Sequence, residues 1–253
     1  MRNKISFRFF VIFILIAILA VFPLSAGATH SWGGYHWART SNPFTLKAGD
    51  NVDTNWDSYL NTTVSDWSQS NVLDLTKVAG STTGRKCRPT AGRVQVCNAA
   101  YGSNGWLGLA QIWLSNGHIS QGVAKMNDSY FNLPQYNNAD EKNHVMCQEV
   151  GHTLGLGHTS EDGSTQNTCM DYSQSPTSTH PNSHDYQMLS DIYAHLDSTT
   201  SIGSAPVGFA NADMHAQENW GTKVSESADG RSAIFARDFG KGFIIITHVT
   251  WAD

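Results

Sequence analysis

The chain has 253 residues, of which 40% are hydrophobic, 11% aromatic and only 15% charged. So many aromatics exclude wholesale disorder, and 22 glycines without a three-residue period exclude collagen. The 16 Lys+Arg against 21 Asp+Glu give a net charge of −5 with no basic stripe, which argues against a nucleic-acid partner.

Taken in chain order, Arg2, Lys4 and Arg8 precede an unbroken apolar run over residues 9–22, and Ala26-Gly27-Ala28 follows. A basic start, an apolar centre and an Ala-x-Ala site predict a secretory signal over residues 1–28. The apolar run spans about 21 Å as a helix, short of a ~30 Å hydrocarbon core. A secreted chain with no membrane contact after signal cleavage is expected. Short strands are predicted at 35–39 and 44–47, around a turn at Ser41-Asn42-Pro43. Trp56, Tyr59, Leu60, Val64 and Trp67 form one stripe and predict a helix over 53–68. Strands are expected at 72–78 and 94–97. Residues 107–114 and 119–126 flank Ser115-Asn116-Gly117 and predict a hairpin. A helix is expected over 140–154, opened by Asp140 and Glu141, and another over 182–196. Residues 198–207 read as a linker, followed by a hairpin of 233–236 with 243–247.

In an exported chain, four cysteines suggest two disulfides, with three possible connectivities. We pair Cys87 with Cys97, across the turn-rich residues 88–93, and Cys147 with Cys169. Asn61-Thr62-Thr63 and Asn127-Asp128-Ser129 match the N-glycosylation pattern.

The chemistry concentrates in Gln148-Glu149-Val150-Gly151-His152-Thr153-Leu154-Gly155-Leu156-Gly157-His158. Positions 148 and 152 are one helical turn apart and point the same way. Gly155 can end the helix at positive φ, which lets His158 return toward the same point. Two helical side chains, one from the next turn and an adjacent carboxylate form an open metal site with a base beside it.

This segment resembles the metzincin zinc-peptidase signature His-Glu-x-x-His-x-x-Gly-x-x-His, and matrixins most closely, with Gln148 in place of the first His. Cys169-Met170-Asp171-Tyr172 looks like the family's Met-turn. The resemblance covers residues 30–198. It implies an α+β metzincin-type fold: a twisted mixed sheet, an active-site helix, a Met-turn with Met170 beneath the metal, and a C-terminal helix. The implied organisation is a signal peptide (1–28), a catalytic domain (29–198), and a linker with a β-rich C-terminal extension (199–253). The implied activity is zinc-dependent endopeptidase, with one catalytic Zn2+ held by Gln148, His152 and His158. Glu149 is then the general base and Tyr172 an oxyanion or metal partner. A polypeptide substrate is expected to extend along residues 107–114, with the protein a monomer. The loop that holds a second structural zinc in matrixins lacks its His and Asp here, so no second structural zinc is expected. The alternative is a catalytically impaired binding protein on the same fold. His144, His180 and His184 read as surface or capping histidines. Trp220, Phe235, Phe239, Phe243 and Trp251 read as packing against the catalytic domain.

Overall fold

The computed structural model describes residues 30–203 and 212–252. The signal segment and part of the linker lie outside the described residues.

The elements in chain order are β1 (His36–Trp37), β2 (Phe44–Asn51), α1 (Asp57–Trp67), β3 (Leu73–Ala79), β4 (Val94–Ala99), β5 (Trp106–Ser115) and β6 (His118–Asn127). There follow α2 (Asp128–Phe131), α3 (Ala139–Thr153), α4 (Ser183–Ile192), β7 (Thr222–Glu226), β8 (Ser232–Asp238) and β9 (Phe243–Trp251). The first predicted helix starts later than its stripe suggests. The Asp53 carboxylate accepts from the Asn55 N–H, and Trp56 N–H donates to Asp53 O, so 53–56 close a turn instead. The last helix is shorter than predicted. Asn182 and Asp185 form a capping box at its start, and it stops at Ile192.

All strands share one mixed α/β sheet, ordered β3-β2-β4-β6-β5-β9-β8-β7, with β1 on β6. The pairs β2–β3, β2–β4 and β4–β6 are parallel. From β6 onward, β5, β9, β8 and β7 run antiparallel. The C-terminal strands therefore prolong the main sheet. This corrects one expectation: β5 has no free edge, because β9 pairs along it from Trp106↔Trp251 to Ser115↔Phe243. Residues 107–114 cannot take an extended substrate there.

Two apolar clusters lie on opposite faces of the sheet. The larger includes Trp67 of α1, Val150 of α3, Leu189 of α4, and Ile112 and Ile246 of the sheet. The smaller gathers Trp106, Leu109, Trp113, Trp220, Phe235, Ile245 and Val249, so the C-terminal aromatics pack on the body of the fold. Successive strand residues alternate faces, so His248 and Thr250 share the side of Ile246, the side covered by α3. No helix among the described residues is long and apolar enough to cross a membrane.

Cys87–Cys97 and Cys147–Cys169 are both bonded, each with Cα atoms 5.9 Å apart. Asn127 is fully buried, its amide donating to Gly102 O, Asn104 Oδ1 and Trp106 O. It caps α2, so that glycosylation pattern has no accessible acceptor. Asn61 is exposed.

Candidate metal centre

The centre rests on α3. Asn138 caps this helix by accepting from Glu141 N–H, and Asp140 and Glu141 complement its dipole. The helix lies close against the sheet because β5 carries Gly108 opposite it. A Cβ there would stand 2.5 Å from Glu149 Oε1 and from Val145 Cγ1. On its other side Gly151 admits Met170, whose Sδ would be 2.6 Å from an added Cβ. The helix stops at Leu154, and Gly155 turns the chain at φ +101°. Any Cβ at that glycine would strike Tyr35 O. The turn brings His158 back, with its Nε2 3.0 Å from His152 Nε2.

The third imidazole at this point comes from β9. One ring nitrogen each of His152, His158 and His248 lies within 4.8 Å of the others. The His248 ring is centred 3.9 Å from that of His152 and 4.7 Å from that of His158. Every Nδ1 has an oxygen partner. His152 Nδ1 donates to Leu156 O at 2.8 Å, His158 Nδ1 is 2.5 Å from the Tyr172 hydroxyl, and His248 Nδ1 is 3.3 Å from Glu149 Oε2. The Leu156 carbonyl can only accept, so it holds His152 in the tautomer whose Nε2 carries the free lone pair, while the Tyr172 hydroxyl and the Glu149 carboxyl orient the other two rings. His248 Nε2 is buried with no hydrogen-bond partner.

Burial sets the protonation of these groups. It pushes His152 and His248 down to about 3 and His158 well below its ordinary range, so all three stand neutral, as metal ligands must. Burial also lifts Glu149 to about 7, opposed by the neighbouring His152 and by the Thr250 hydroxyl.

Gln148 occupies the same helix face but is engaged elsewhere. Its Nε2 donates to Cys169 O at 3.0 Å and Asp171 O at 2.9 Å. Its Oε1 accepts from Thr250 Oγ1 at 3.0 Å. The amide thus ties α3 to the turn after Cys169 and to β9. Tyr172 sits behind His158 and contacts Ser232 Oγ, so it positions an imidazole. Met170 is buried below the helix. His144 is buried, contrary to its reading as a surface residue, with Nε2 3.3 Å from Gln148 Nε2. His180 pairs with Asp66 at 2.6 Å and His184 stacks on His30, both away from this centre.

His248 is the residue that sequence reasoning missed. It stands in an apolar strand ninety positions beyond His158, and no spacing rule links the two. The available signal was negative: a signature lacking its first imidazole needs one from elsewhere in the chain.

A depression of about 330 Å³ opens near the start of α3, lined by Gln135, Tyr136, Asn138, Glu141, His144 and Gln174; neither Glu149 nor any of the three imidazoles lines it. A cavity of about 20 Å³, room for one water, adjoins it and is bounded by Gln148, Tyr172 and Thr250.

The donor set fits a divalent transition metal. Three neutral imidazoles facing one point, one of them with an otherwise orphaned nitrogen, suit zinc's preference for nitrogen in a tetrahedral shell. No protein-family model matches the chain, and no curated protein matches it significantly.

Proposed function

We propose that this chain is a secreted, monomeric zinc protein of the metzincin peptidase type, acting as an endopeptidase on polypeptide. Its zinc would be held by His152, His158 and His248. The observation that carries the reading is the convergence of those three imidazoles beside a buried glutamate, on a signature that otherwise lacks its first ligand.

Zinc held there would supply a Lewis acid that polarises a peptide carbonyl and lowers the pKa of a water toward ~7. Glu149, raised to about 7 by burial, would take a proton from the attacking water and return it to the leaving amine only on leaving His248 Nδ1, from which its Oε2 stands 3.3 Å. The Leu156 carbonyl holds His152 in the ligating tautomer, and Tyr172 orients the ring of His158. Because β9 covers β5, substrate would approach from the His144 side, and it would reach the fully buried Glu149, His152 and His248 only after Gln148 or Tyr172 moved aside.

A second reading, an impaired peptidase whose zinc only fastens β9 to α3, has its own support. Both Glu149 oxygens are already engaged, Oε2 near His248 Nδ1 and Oε1 with the Thr250 hydroxyl at 2.8 Å. The discriminating experiment measures zinc content and peptide hydrolysis on wild type and Glu149→Gln. Zinc in both proteins, with hydrolysis in the wild type alone, supports the peptidase. Zinc without hydrolysis in either supports the fastening role. A metal-free wild type in excess zinc ends both readings.

A further inference from the structure

A second cluster of metal-ligating side chains lies away from the proposed catalytic centre, where β1, the β5–β6 turn and the chain after α4 meet. The parallel pairing of β1 with β6 places His36 directly beside His118, their rings 4.9 Å apart and nearly perpendicular. The chain leaving α4 adds His195, whose ring lies 4.7 Å from that of His36. It also adds Asp197, whose backbone N–H donates to Arg39 O.

His36 Nε2 is 3.5 Å from both oxygens of Asp197, which otherwise have different surroundings. Oδ2 accepts from Arg39 N at 3.1 Å and Arg39 Nη1 at 3.0 Å, which fixes the carboxylate plane. Oδ1 faces three imidazoles: His118 Nε2 at 3.1 Å, His36 Nε2 at 3.5 Å and His195 Nε2 at 3.6 Å. The His195 and His36 Nε2 atoms are themselves 3.2 Å apart. His36 Nδ1 donates to Gly34 O at 2.9 Å, so in neutral form its Nε2 presents a lone pair toward the cluster. His36, His118 and Asp197 each bring one ligating atom within 4.8 Å of the others, and His195 Nε2 stands at the edge of that group, beside His36. That is a carboxylate-and-imidazole shell with its outer support in place.

We propose that His36, His118 and Asp197 form a second zinc site, a structural one with His195 at its rim, which pins the N-terminal strand and the chain after α4 to the β5–β6 hairpin. Two imidazole nitrogens and one carboxylate oxygen fill three positions of a tetrahedral shell, and the exposed His195 is the side chain next to the fourth. The site shares no residue with the proposed catalytic centre, and its test does not depend on that centre being loaded.

The test is zinc stoichiometry of the purified full chain by elemental analysis after dialysis against zinc and then buffer. His118 and His195 are the more exposed imidazoles, with 35% and 55% of their side-chain surface accessible, so their removal leaves the core intact. Relative to wild type, His118→Ala/His195→Ala should lose one zinc equivalent while retaining its circular dichroism spectrum. In a His152→Ala/His248→Ala background one equivalent should remain, and loading it with cobalt should give the visible bands of a tetrahedral nitrogen–oxygen shell. An unchanged count in His118→Ala/His195→Ala would overturn the proposal and leave the cluster a proton-shared hydrogen-bond network. A wild type holding only the equivalent that His152→Ala/His248→Ala removes would overturn it equally.

Discussion

His248 and Glu149 are 99 positions apart in sequence, yet Nδ1 of one lies 3.3 Å from Oε2 of the other. The contact joins the C-terminal strand to α3, the helix that carries Gln148, Glu149 and His152. A carboxylate that receives Nδ1–H leaves Nε2 as the ligating atom and raises its basicity, and loss of such a partner costs 10–100-fold in metal affinity.

From this contact, His248→Ala should weaken zinc binding by at least ~100-fold, more than loss of the carboxylate partner alone, because a ligand itself is removed. Glu149→Gln should weaken it by about 10-fold, since the amide oxygen can still accept from His248 Nδ1. Competition with a chromogenic chelator measures both. Equal, wild-type affinity in the two variants would mean that His248 stands beside the metal without binding it.

Gln148→His tests whether the amide has become a structural residue. Its nitrogen donates to two buried carbonyls, Cys169 O and Asp171 O, and one imidazole N–H cannot replace both bonds. An unsatisfied buried carbonyl costs about 1–3 kcal/mol, so the variant should be destabilised by that amount in urea unfolding. Its zinc count should be unchanged. In the His248→Ala background the same substitution should restore zinc binding, because the imidazole returns to the helical position that the signature assigns it. Failure of that rescue would show that position 148 no longer faces the metal.

Much of the fold was legible because it rests on local patterns. The stripe through Trp56, Leu60 and Trp67, the turn at Asn116-Gly117 and the glycine stop at Gly155 each act over a few residues, and each has its counterpart in an observed element. The partner of β5 was not legible. The run Phe243-Ile244-Ile245-Ile246 reads equally well as an appended hairpin or as an interior strand, since apolar continuity says nothing about which strand it joins. The missing imidazole was hidden for the same reason. His248 meets His152 only through the pairing of β9 with β5, in a register that sets His248 opposite Ala110. The His36, His118 and Asp197 grouping likewise depends on β1 lying on β6, a contact of only two residues a side.

The pH dependence of the metal-free chain follows from opposed groups. His152 and His248 are lowered to about 3 by burial, and His158 also lies well below 6.5. Below 6.5 the unfolded chain takes up protons that these folded imidazoles refuse, so their contribution to stability is lost as pH falls from 6.5 toward 3. Glu149 is raised from 4.5 to about 7, so its contribution is present at low pH and lost as pH rises through 7. Between 4.5 and 6.5 these three imidazoles, joined by His30, lowered to about 4, oppose Glu149 and Asp185, the latter raised to about 6 by burial, and stability should rise with pH. Urea midpoints in chelator at pH 5 and pH 6.5 check the sign. A higher midpoint at pH 5 would mean that the imidazoles are charged in the folded chain.

The Cys147–Cys169 bridge closes a loop of 22 residues between α3 and the Met170 turn. Chain-entropy arguments value such a loop at about 3 kcal/mol. Cys147→Ala/Cys169→Ala should therefore lower unfolding stability by about that much. Zinc should still bind, because the proposed ligands come from α3, the turn after it and β9, and none comes from residues 169–172. Gln148 also holds the turn by bonding Cys169 O and Asp171 O, so the segment stays docked without the sulfur link. Zinc content measured beside the unfolding curve separates the two effects. Loss of zinc at unchanged secondary structure would show that the bridge, through Met170 beneath Gly151, sets the height of His152 on its helix.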